Sequence, residues 1–544
     1  MKPLRGRLAA ITAGGVTGAI VLAGVLGSGT AAYAAPAPSQ KPGAGSEGFR
    51  GKWRFDASAT TMANVNAIIG ADRLHRSGLT GSGVGVALVD TGVVPVDGLR
   101  GTRVVNGPDL SLESQTPGLR YADTYGHGTH LAGIIAGTPD GNGFGGVAPG
   151  ATLTSVKVGA AAGIVDVSQV IAAIDWVVEH RADDPKHPVR VLNLSYGTDS
   201  VQDYQVDPLT HAVENAWHAG IVVVVAGGNS GSTAPRLADP AVDPYVIAVG
   251  AADSAGTVKS ADDTVTDFSS RGDASRRVDL VAPGRSVVSL RDPGSYADSE
   301  SPTARVGDDF FKGSGTSQAA AVVSGAVALL LQDRPELSPD EVKALLTRTA
   351  DNLPKADATG RGAGELDIAK AVKANTPRNV TQTWPRSTGL GSLEAARGSA
   401  HLSLDGATLT GENDLFGAFD TAAWAKASAA GTAWQGGTWM GRTLTGSGWG
   451  DATSSGAWSG LSWSGLSWSG LSWSGLSWSG LSWSGLSWSG LSWSGLSWSG
   501  LSWSGLSWSG LSWSGLSWSG LSWSGLSWSG LSWSGAAWSS DAWS

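Results

Sequence analysis

A serine in a glycine-rich turn is the residue of this chain whose surroundings point most directly to chemistry. Ser317 closes the segment Gly-Ser-Gly-Thr-Ser at 313–317, and the alanine-, valine- and leucine-rich run that follows predicts a helix. A serine hydroxyl is a weak nucleophile near neutral pH and needs a base to activate it. The turn would expose this hydroxyl, and the first N–H groups of the helix would face any anion formed there.

Three upstream segments supply the polar groups that could complete such a site. An apolar run at 86–89 ends in Asp90, which predicts a buried parallel strand with a carboxylate at its carboxyl end. His127 lies between two glycines that leave its ring uncovered, and a second apolar run at 221–225 is followed closely by Asn229. Because sites in open α/β sheets gather at the carboxyl ends of strands, we expect these groups to meet.

Residue types in this combination can carry out acyl transfer. Ser317 would attack a carbonyl carbon, His127 would take its proton and pass it to the leaving amine, and Asp90 would orient the imidazole. The side-chain amide of Asn229 and the backbone N–H of Ser317 would stabilise the oxyanion, where loss of one donor costs about 10²–10³ in rate. Since the base must be a neutral imidazole, we expect activity to fall in acid.

The order of the acid, the histidine, the asparagine and the serine along the chain resembles that of the subtilisin-like serine proteases, the subtilases. Gly-His-Gly-Thr-His at 126–130 and Gly-Thr-Ser at 315–317 match the motifs of that family, and the resemblance extends over residues 71–376. It implies a serine-type endopeptidase that acts on proteins or peptides and requires no cofactor. It also implies a subtilisin-like α/β fold, a three-layer sandwich with a mostly parallel central sheet.

The same resemblance implies where substrate and calcium would bind. Two strand ends would wall the pocket for the residue before the scissile bond, and the glycines there imply a roomy or apolar pocket; the residues are Ser195, Tyr196, Gly197, Ala226, Gly227 and Gly228. Many subtilases bind calcium in the loop after the histidine helix, where Asp140 and Asn142 could supply oxygen ligands. One carboxylate is weak evidence for a calcium site, so a plain turn is the better interpretation of this loop and no metal ligand is assigned.

Two positions beside the nucleophile depart from the usual family pattern. The residue after the serine is commonly methionine and here is Gln318, and the fourth residue after it is commonly proline and here is Ala321. Neither change removes a catalytic group, and alanine is the best helix former. Because glutamine cannot form a sulfoxide, we expect activity to survive peroxide.

Alternating apolar runs and amphipathic stretches predict a parallel sheet covered by helices. Strands are predicted at 84–90, 152–158, 188–194, 221–226, 245–250 and 279–282, and helices at 128–137, 168–182, 208–219, 317–333 and 339–350. Ser338 and Glu341, with a proline between them, predict a capping box at the start of the last of these helices. The peptidase domain is placed at 66–376 and a Gly-, Ala- and Trp-containing connecting region at 377–457.

The N-terminus predicts export. Basic residues precede an apolar stretch from Leu8 to about Gly27, and Ala-Tyr-Ala at 32–34 offers a cleavage site, so residues 1–34 are interpreted as a signal peptide and 35–65 as a linker or short pro-segment. A membrane anchor is the alternative, but the stretch is glycine-rich and a cleavage site follows it, which favours export. No other run is long and apolar enough to span a bilayer. A net charge of −9 gives no support to nucleic-acid binding, and zero cysteines rule out disulfides. We expect a secreted or cell-surface location.

From residue 458 to the C-terminus the chain repeats the pentad Gly-Leu-Ser-Trp-Ser almost without variation. Residues five apart face opposite sides of a continuous strand, so a regular structure must turn at each Ser-Gly, as in a β-solenoid of about four sides per coil. A disordered, sticky tract is the competing interpretation. In either case, exposed tryptophan could bind a cell-surface polymer or promote self-association, with no transmembrane partner implied.

Two other function classes fit part of the pattern. The first is a catalytically weak or inactive surface protein with an adhesive tryptophan-rich tail, and the intact set of four site residues argues against it. The second is an esterase using the same nucleophile. Hydrolases of that type carry a second glycine two residues after the serine, and Ala319 occupies that position here.

Overall fold

The structure is a computed structural model, and it describes residues 59–445 apart from 117, 164 and 405–406. It also describes 450–451 and three of every five residues between 457 and 539. The predicted signal peptide and most of the predicted linker lie outside the described residues. The helices are α1 Met62–Ile68, α2 Ala71–Arg76, α3 His127–Ala136, α4 Val167–His180, α5 Pro208–His218, α6 Tyr296–Glu300, α7 Thr316–Asp333, α8 Pro339–Thr349, α9 Ile368–Lys373, α10 Leu393–Arg397 and α11 Thr421–Ala430.

The strands up to the nucleophile form two sheets. They are β1 Thr60–Thr61, β2 Gly85–Asp90, β3 Arg103–Asp109, β4 Thr152–Lys157, β5 Val189–Leu194, β6 Val222–Ala226, β7 Ile247–Asp253, β8 Thr264–Val265, β9 Leu280–Pro283, β10 Val287–Leu290, β11 Arg305–Val306 and β12 Phe310–Gly313. The main sheet has the order β3-β4-β2-β5-β6-β7-β8, with β9 also paired to β7, and only its short β8 pairing is antiparallel. A smaller sheet, β1-β10-β12-β11, leads into α7.

The main sheet is covered on both faces. Every residue of β2 and β6 is buried, and successive side chains of a strand point to opposite faces, so both faces must be packed. Helix α3 packs on α7, which lies against β5, β6, β7 and β9, while α4 packs on α5. The predicted α/β fold with a mostly parallel central sheet is confirmed, and each predicted strand and helix is found within about three residues of its predicted ends.

Local signals explain several of these boundaries. Helix α8 begins with the predicted capping box, since Ser338 accepts from the Glu341 N–H and the Glu341 carboxylate accepts from the Ser338 N–H. Helix α4 begins with a second capping box formed by Asp166 and Gln169. Strand β3 was not predicted, because it lies at the sheet edge and its partly exposed sequence lacks an apolar run. Among the described residues, no helix combines the length and apolar character needed to cross a membrane.

The region after the predicted peptidase domain packs against the domain. It contains α10, α11 and the short strands β13 Ser403–Leu404, β14 Ala407–Thr408, β15 Asn413–Asp414, β16 Gly417–Ala418, β17 Trp434–Gln435, β18 Thr438–Trp439, β19 Arg442–Thr443 and β20 Gly450–Asp451. Trp424 and Trp439 are fully buried, and both indole N–H groups donate to Asp175 of α4 at 2.8 and 2.9 Å. The Ser428 hydroxyl donates to the other oxygen of that carboxylate. The interpretation of 377–457 as a connecting region does not anticipate this packing.

Asp175 should make this packing depend on pH. Burial raises the pKa of its carboxyl to about 6, and the three donors oppose that shift. Because the folded-state pKa lies above the ordinary value, the group's contribution to stability is complete below about pH 4 and is lost as pH rises through about 6. Asp175→Asn removes the titration, so the advantage of the parent over this variant in free energy of unfolding should shrink by roughly 2–3 kcal/mol between pH 4 and pH 7.5.

Denaturant unfolding of both proteins at the two pH values measures this, in a Ser317→Ala background to prevent self-digestion. Asp183→Asn, on the exposed loop after α4, is the control, and its effect on the free energy of unfolding should be the same at both pH values. An equal difference between parent and Asp175→Asn at pH 4 and pH 7.5 would contradict the assignment of Asp175 as the titrating group.

In the tail, three-residue strands recur every five residues from β21 Ala457–Ser459 to β37 Ala537–Ser539. Each strand pairs in parallel with the strand twenty residues later, so that Trp463 is in register with Trp483 and Trp483 with Trp503. The pairings form four separate sheets of four or five strands.

Candidate active site

Asp90 and His127 are in direct contact at the carboxyl end of the main sheet. Asp90 is the last residue of β2, His127 is the first residue of α3, and His127 Nδ1 lies 2.8 Å from Asp90 Oδ1 with both side chains buried. A carboxylate can only accept, so Nδ1 carries the hydrogen and donates it. The Thr91 N–H donates to the same Asp90 oxygen at 2.8 Å, which fixes the carboxylate that orients the ring.

A buried carboxylate that the sequence reasoning missed holds the start of α3 in place. Asp123 accepts hydrogen bonds from the N–H groups of Gly126 and Thr129 and from the Thr91 hydroxyl, all at 2.7 Å. Thr91 Oγ1 in turn accepts from the Gly128 N–H at 2.9 Å. Burial raises the pKa of Asp123, while these donors act in the opposite direction. The network ties the end of β2 to the first turn of α3, so it sets the distance between Asp90 and His127.

Glycine is required at position 128 by close approach. A Cβ on Gly128 would lie 2.1 Å from the Gly92 carbonyl oxygen and 3.2 Å from Asp90 Oδ1. Any side chain there would push α3 away from the loop after β2 and would separate the histidine from the acid. The glycine after the histidine in the sequence motif therefore serves packing. The prediction that the flanking glycines leave the ring uncovered is wrong, since the His127 side chain is fully buried.

Ser317 lies beside the end of β5, which is the strand next to β2. It is the second residue of α7, and its Oγ is 3.5 Å from the Ser195 carbonyl oxygen. Val89 pairs with Leu194, so Asp90 and Ser195 follow a matched pair of residues on neighbouring strands, which are about 4.8 Å apart. The structure thus brings the predicted nucleophile to the same sheet edge as the predicted acid and base.

Asn229 is held by the first residue of α7. Its Oδ1 accepts from the Thr316 N–H at 2.9 Å and from the Thr316 hydroxyl at 3.2 Å. Because the amide is planar, this fixes Nδ2 on the opposite side. A Cβ on Gly315 would lie 3.6 Å from both Asn229 Nδ2 and the Ser317 backbone nitrogen. The two predicted oxyanion donors therefore flank one point in space.

The six predicted pocket residues lie at the ends of β5 and β6. The Tyr196 ring is buried, and burial raises the pKa of its hydroxyl, so this residue could line a pocket only through its backbone. A Cβ on Gly197 or on Gly228 would lie 2.8 or 3.2 Å from Ala238 Cβ. Ala238, which the sequence reasoning missed, thus lies between the two predicted walls.

Two other polar groups lie near the histidine in the sequence. His130 is fully buried, and its pKa is lowered to about 3, first by burial and then by the nearby His127, so it stays neutral inside the core. Asp140 Oδ1 accepts from the N–H groups of Asn142 and Phe144, which makes this loop a turn. Within the described part of the chain, no group of three or more His, Asp or Glu side chains is arranged to hold a metal ion.

Gln318 should make the expected activity resistant to peroxide. It is buried directly after Ser317, and the described methionines are Met62 in α1 and Met440 near the C-terminal end of the packed region. We expect the protein to keep most of its activity after exposure to dilute peroxide, since no thioether adjoins the nucleophile. The Gln318→Met variant is the control, and treatment should remove most of its own starting activity. Rapid loss in the parent would count against the expectation.

Comparisons with known proteins identify the family of this chain. The sequence model of the Subtilase family, Peptidase_S8, matches residues 81–390. Serine protease AprX of Bacillus subtilis (strain 168) is 42% identical over 301 residues, 54% of this chain and 67% of AprX. Subtilisin DY of Bacillus licheniformis is 33% identical over 314 residues, 57% of this chain and 99% of that protein.

Among solved structures, fervidolysin from Fervidobacterium pennivorans superposes with a TM-score of 0.48 and 27% identity, covering 61% of this chain and 52% of that one. The match of the family model to more than half of the chain, together with the two curated relatives, establishes the assignment. This chain belongs to the subtilase family of serine endopeptidases.

Proposed function

We propose that this protein is a secreted endopeptidase that cleaves peptide bonds through an acyl-enzyme on Ser317. His127 is the general base and Asp90 orients it. The observation that carries the proposal is the buried 2.8 Å hydrogen bond from His127 Nδ1 to Asp90 Oδ1, made at the sheet edge where Ser317 Oγ lies 3.5 Å from the Ser195 carbonyl. Such a bond fixes the tautomer that leaves Nε2 as the proton acceptor.

The reaction then proceeds in two halves. Ser317 Oγ attacks the carbonyl carbon as its proton moves to His127 Nε2, and the tetrahedral intermediate collapses when the imidazolium protonates the leaving amine. In the second half a water molecule attacks the acyl-enzyme, loses a proton to His127, and the proton returns to Ser317 Oγ. In both halves the negative oxygen would accept from Asn229 Nδ2 and the Ser317 N–H.

The substrate would bind at the carboxyl ends of β5 and β6. Ser195 and Gly197 would line one wall, the Tyr196 backbone would add to it, and the stretch from Ala226 to Gly228 would line the other. The contact distances from Gly197 and Gly228 to the small side chain of Ala238 support a pocket bounded there. Proteins and peptides are the substrates, as the family implies.

The catalytic groups of the proposed mechanism are all supplied by the chain, so no cofactor is required. Calcium in the loop of Asp140 and Asn142 stays a prediction. The oxygen of Asp140 that faces the loop already accepts two backbone N–H groups, which supports the turn as its main role.

For the tail we propose a four-sided β-solenoid that attaches the enzyme to a surface polymer or to other copies. The pairing of each strand with the strand twenty residues later supports four pentads per coil. Pull-down on purified cell walls, with and without residues 457–544, tests attachment, and equal binding would remove it. Sedimentation of the same two proteins tests self-association.

A fluorophosphonate probe tests the catalytic proposal, because only an activated serine reacts with it. The full chain should be labelled at Ser317, as found by mass spectrometry of the labelled peptide, and it should digest a peptide library. Purification from culture medium with mass mapping of both ends tests export and removal of residues 1–34. Absence of labelling in a folded protein would favour the inactive surface protein.

A further inference from the structure

Gln318 is a buried amide whose polar atoms have no partner among the residues that the structure describes. It follows Ser317 in α7, its side chain is fully buried, and neither Oε1 nor Nε2 makes a hydrogen bond to the described part of the chain. Leaving a buried polar group unpaired costs about 1–3 kcal/mol. Because an apolar side chain of similar length would avoid that cost, the amide needs an explanation.

The amide faces the same point as the two proposed oxyanion donors. A Cβ on Gly315 would lie 2.8 Å from Gln318 Oε1 and 3.6 Å from both Asn229 Nδ2 and the Ser317 nitrogen. Gly315 has φ 166°, an extended backbone that any residue adopts, so its conformation makes no demand for glycine. Three polar groups therefore surround a small volume that the missing side chain leaves open.

We propose that Gln318 is a third oxyanion donor in this enzyme. The proposal rests on the proposed function, since it concerns the same tetrahedral intermediate. The two ends of a glutamine amide are nearly alike in shape, and with no partner on either end the group can turn by 180° without breaking a hydrogen bond. Turned in this way, Nε2 faces the open volume and donates to the negative oxygen beside Asn229 Nδ2 and the Ser317 N–H.

This arrangement predicts at which step of the reaction the unpaired amide gains a hydrogen-bond partner. In the free enzyme the group is held at a cost, and in the intermediate it gains a charge-assisted hydrogen bond. An interaction made in the transition state but not with the bound substrate raises kcat and leaves KM nearly unchanged. Loss of one oxyanion donor lowers kcat by about 10²–10³, and we expect the Gln318 donor to be at the lower end.

The test replaces the amide with a side chain of similar length that cannot donate. Gln318→Met should lower kcat on a peptide amide by on the order of 10²-fold with KM within about threefold, and should weaken inhibition by a peptide aldehyde, which forms a tetrahedral adduct, by a similar factor. Binding of a non-reactive product peptide should not change. Gln318→Glu keeps the shape but adds a negative charge beside the oxyanion, so kcat should fall further.

Controls separate this role from a structural one. Gln332→Met, at the far end of α7, removes an amide oxygen that accepts from the N–H groups of Thr80 and Gly81, so it should lower stability and leave kcat unchanged. If Gln318 has only a structural role, Gln318→Met should raise the melting temperature, and its kcat and its affinity for the aldehyde should stay within threefold of the parent's.

That last outcome overturns the proposal, and unchanged kcat in Gln318→Glu would do so even if the methionine variant failed to fold. If the parent enzyme is labelled by the fluorophosphonate probe, the proposed function stands whatever these variants show. A parent that is folded but not labelled would instead end both proposals.

Discussion

Replacing Ser317 with alanine should lower kcat on a peptide amide by on the order of 10⁶-fold, the magnitude found when the nucleophile of a subtilisin is removed. The fold should remain, because the serine side chain is small and its hydroxyl makes only a long, weak contact, 3.5 Å, with the Ser195 carbonyl oxygen. Fluorophosphonate labelling should disappear. Steady-state kinetics and intact-protein mass spectrometry measure the two effects.

Two matched variants show whether the loss belongs to the nucleophile. Ser324→Ala removes a buried hydroxyl from the same helix, one that donates to Asn193 Oδ1 at 2.9 Å, and it should keep both activity and labelling. Asp90→Asn should lower kcat by about 10⁴-fold, because an amide favours the wrong tautomer of His127. Labelling that survives in Ser317→Ala would identify another nucleophile and end the proposed mechanism.

The parts of the site that the sequence predicts are those set by short-range patterns. The apolar runs before Asp90 and Asn229 predict buried strands, and the carboxyl ends of parallel strands meet at one edge whatever the details of packing. The glycines beside His127 and the alanine-rich run after Ser317 predict helix starts. These signals need no knowledge of the partner segments, so both the strands and the residues at their ends could be found.

The groups that hold the site together depend on tertiary contacts and could not be found in the same way. Asp123 is an isolated acid in a loop, and its role emerges only when Thr91 and the first turn of α3 are placed around it. Gln318 looks like a simple departure from a family pattern until its amide is found beside Gly315. A single sequence carries no signal for either arrangement.

The contacts of Asp175 and Glu179 on α4 could not be predicted for a related reason. Their partners lie about 250 residues later: Trp424 and Trp439 donate to Asp175, and the Trp434 N–H donates to Glu179. All three tryptophan side chains are buried against the peptidase domain.

Breaking the ion pair between Arg397 and Asp166 should have the largest effect on stability. The Arg397 guanidinium is fully buried, donates to Asp166 Oδ2 at 2.6 Å and to the Gly411 carbonyl at 2.8 Å, and so joins α10 to the N-cap of α4. Arg397→Met leaves the Asp166 carboxylate buried without its cation, which should cost about 3–5 kcal/mol in free energy of unfolding. Denaturant unfolding in the Ser317→Ala background measures it.

The paired variant Asp166→Asn/Arg397→Met decides how that cost arises. Asparagine is also a good N-cap residue, so the double variant should recover stability relative to Arg397→Met if the uncompensated charge is the main cost. Arg277→Met, at an exposed position, is the control and should change stability by about 0.5 kcal/mol or less.

If the region after residue 377 is part of the peptidase fold, Arg397→Met should lower the midpoint of a single unfolding transition that both parts share. A separate transition at lower denaturant concentration, with the midpoint of the main transition unchanged, would instead show that this region unfolds independently. It would then support the interpretation of 377–457 as a connecting region.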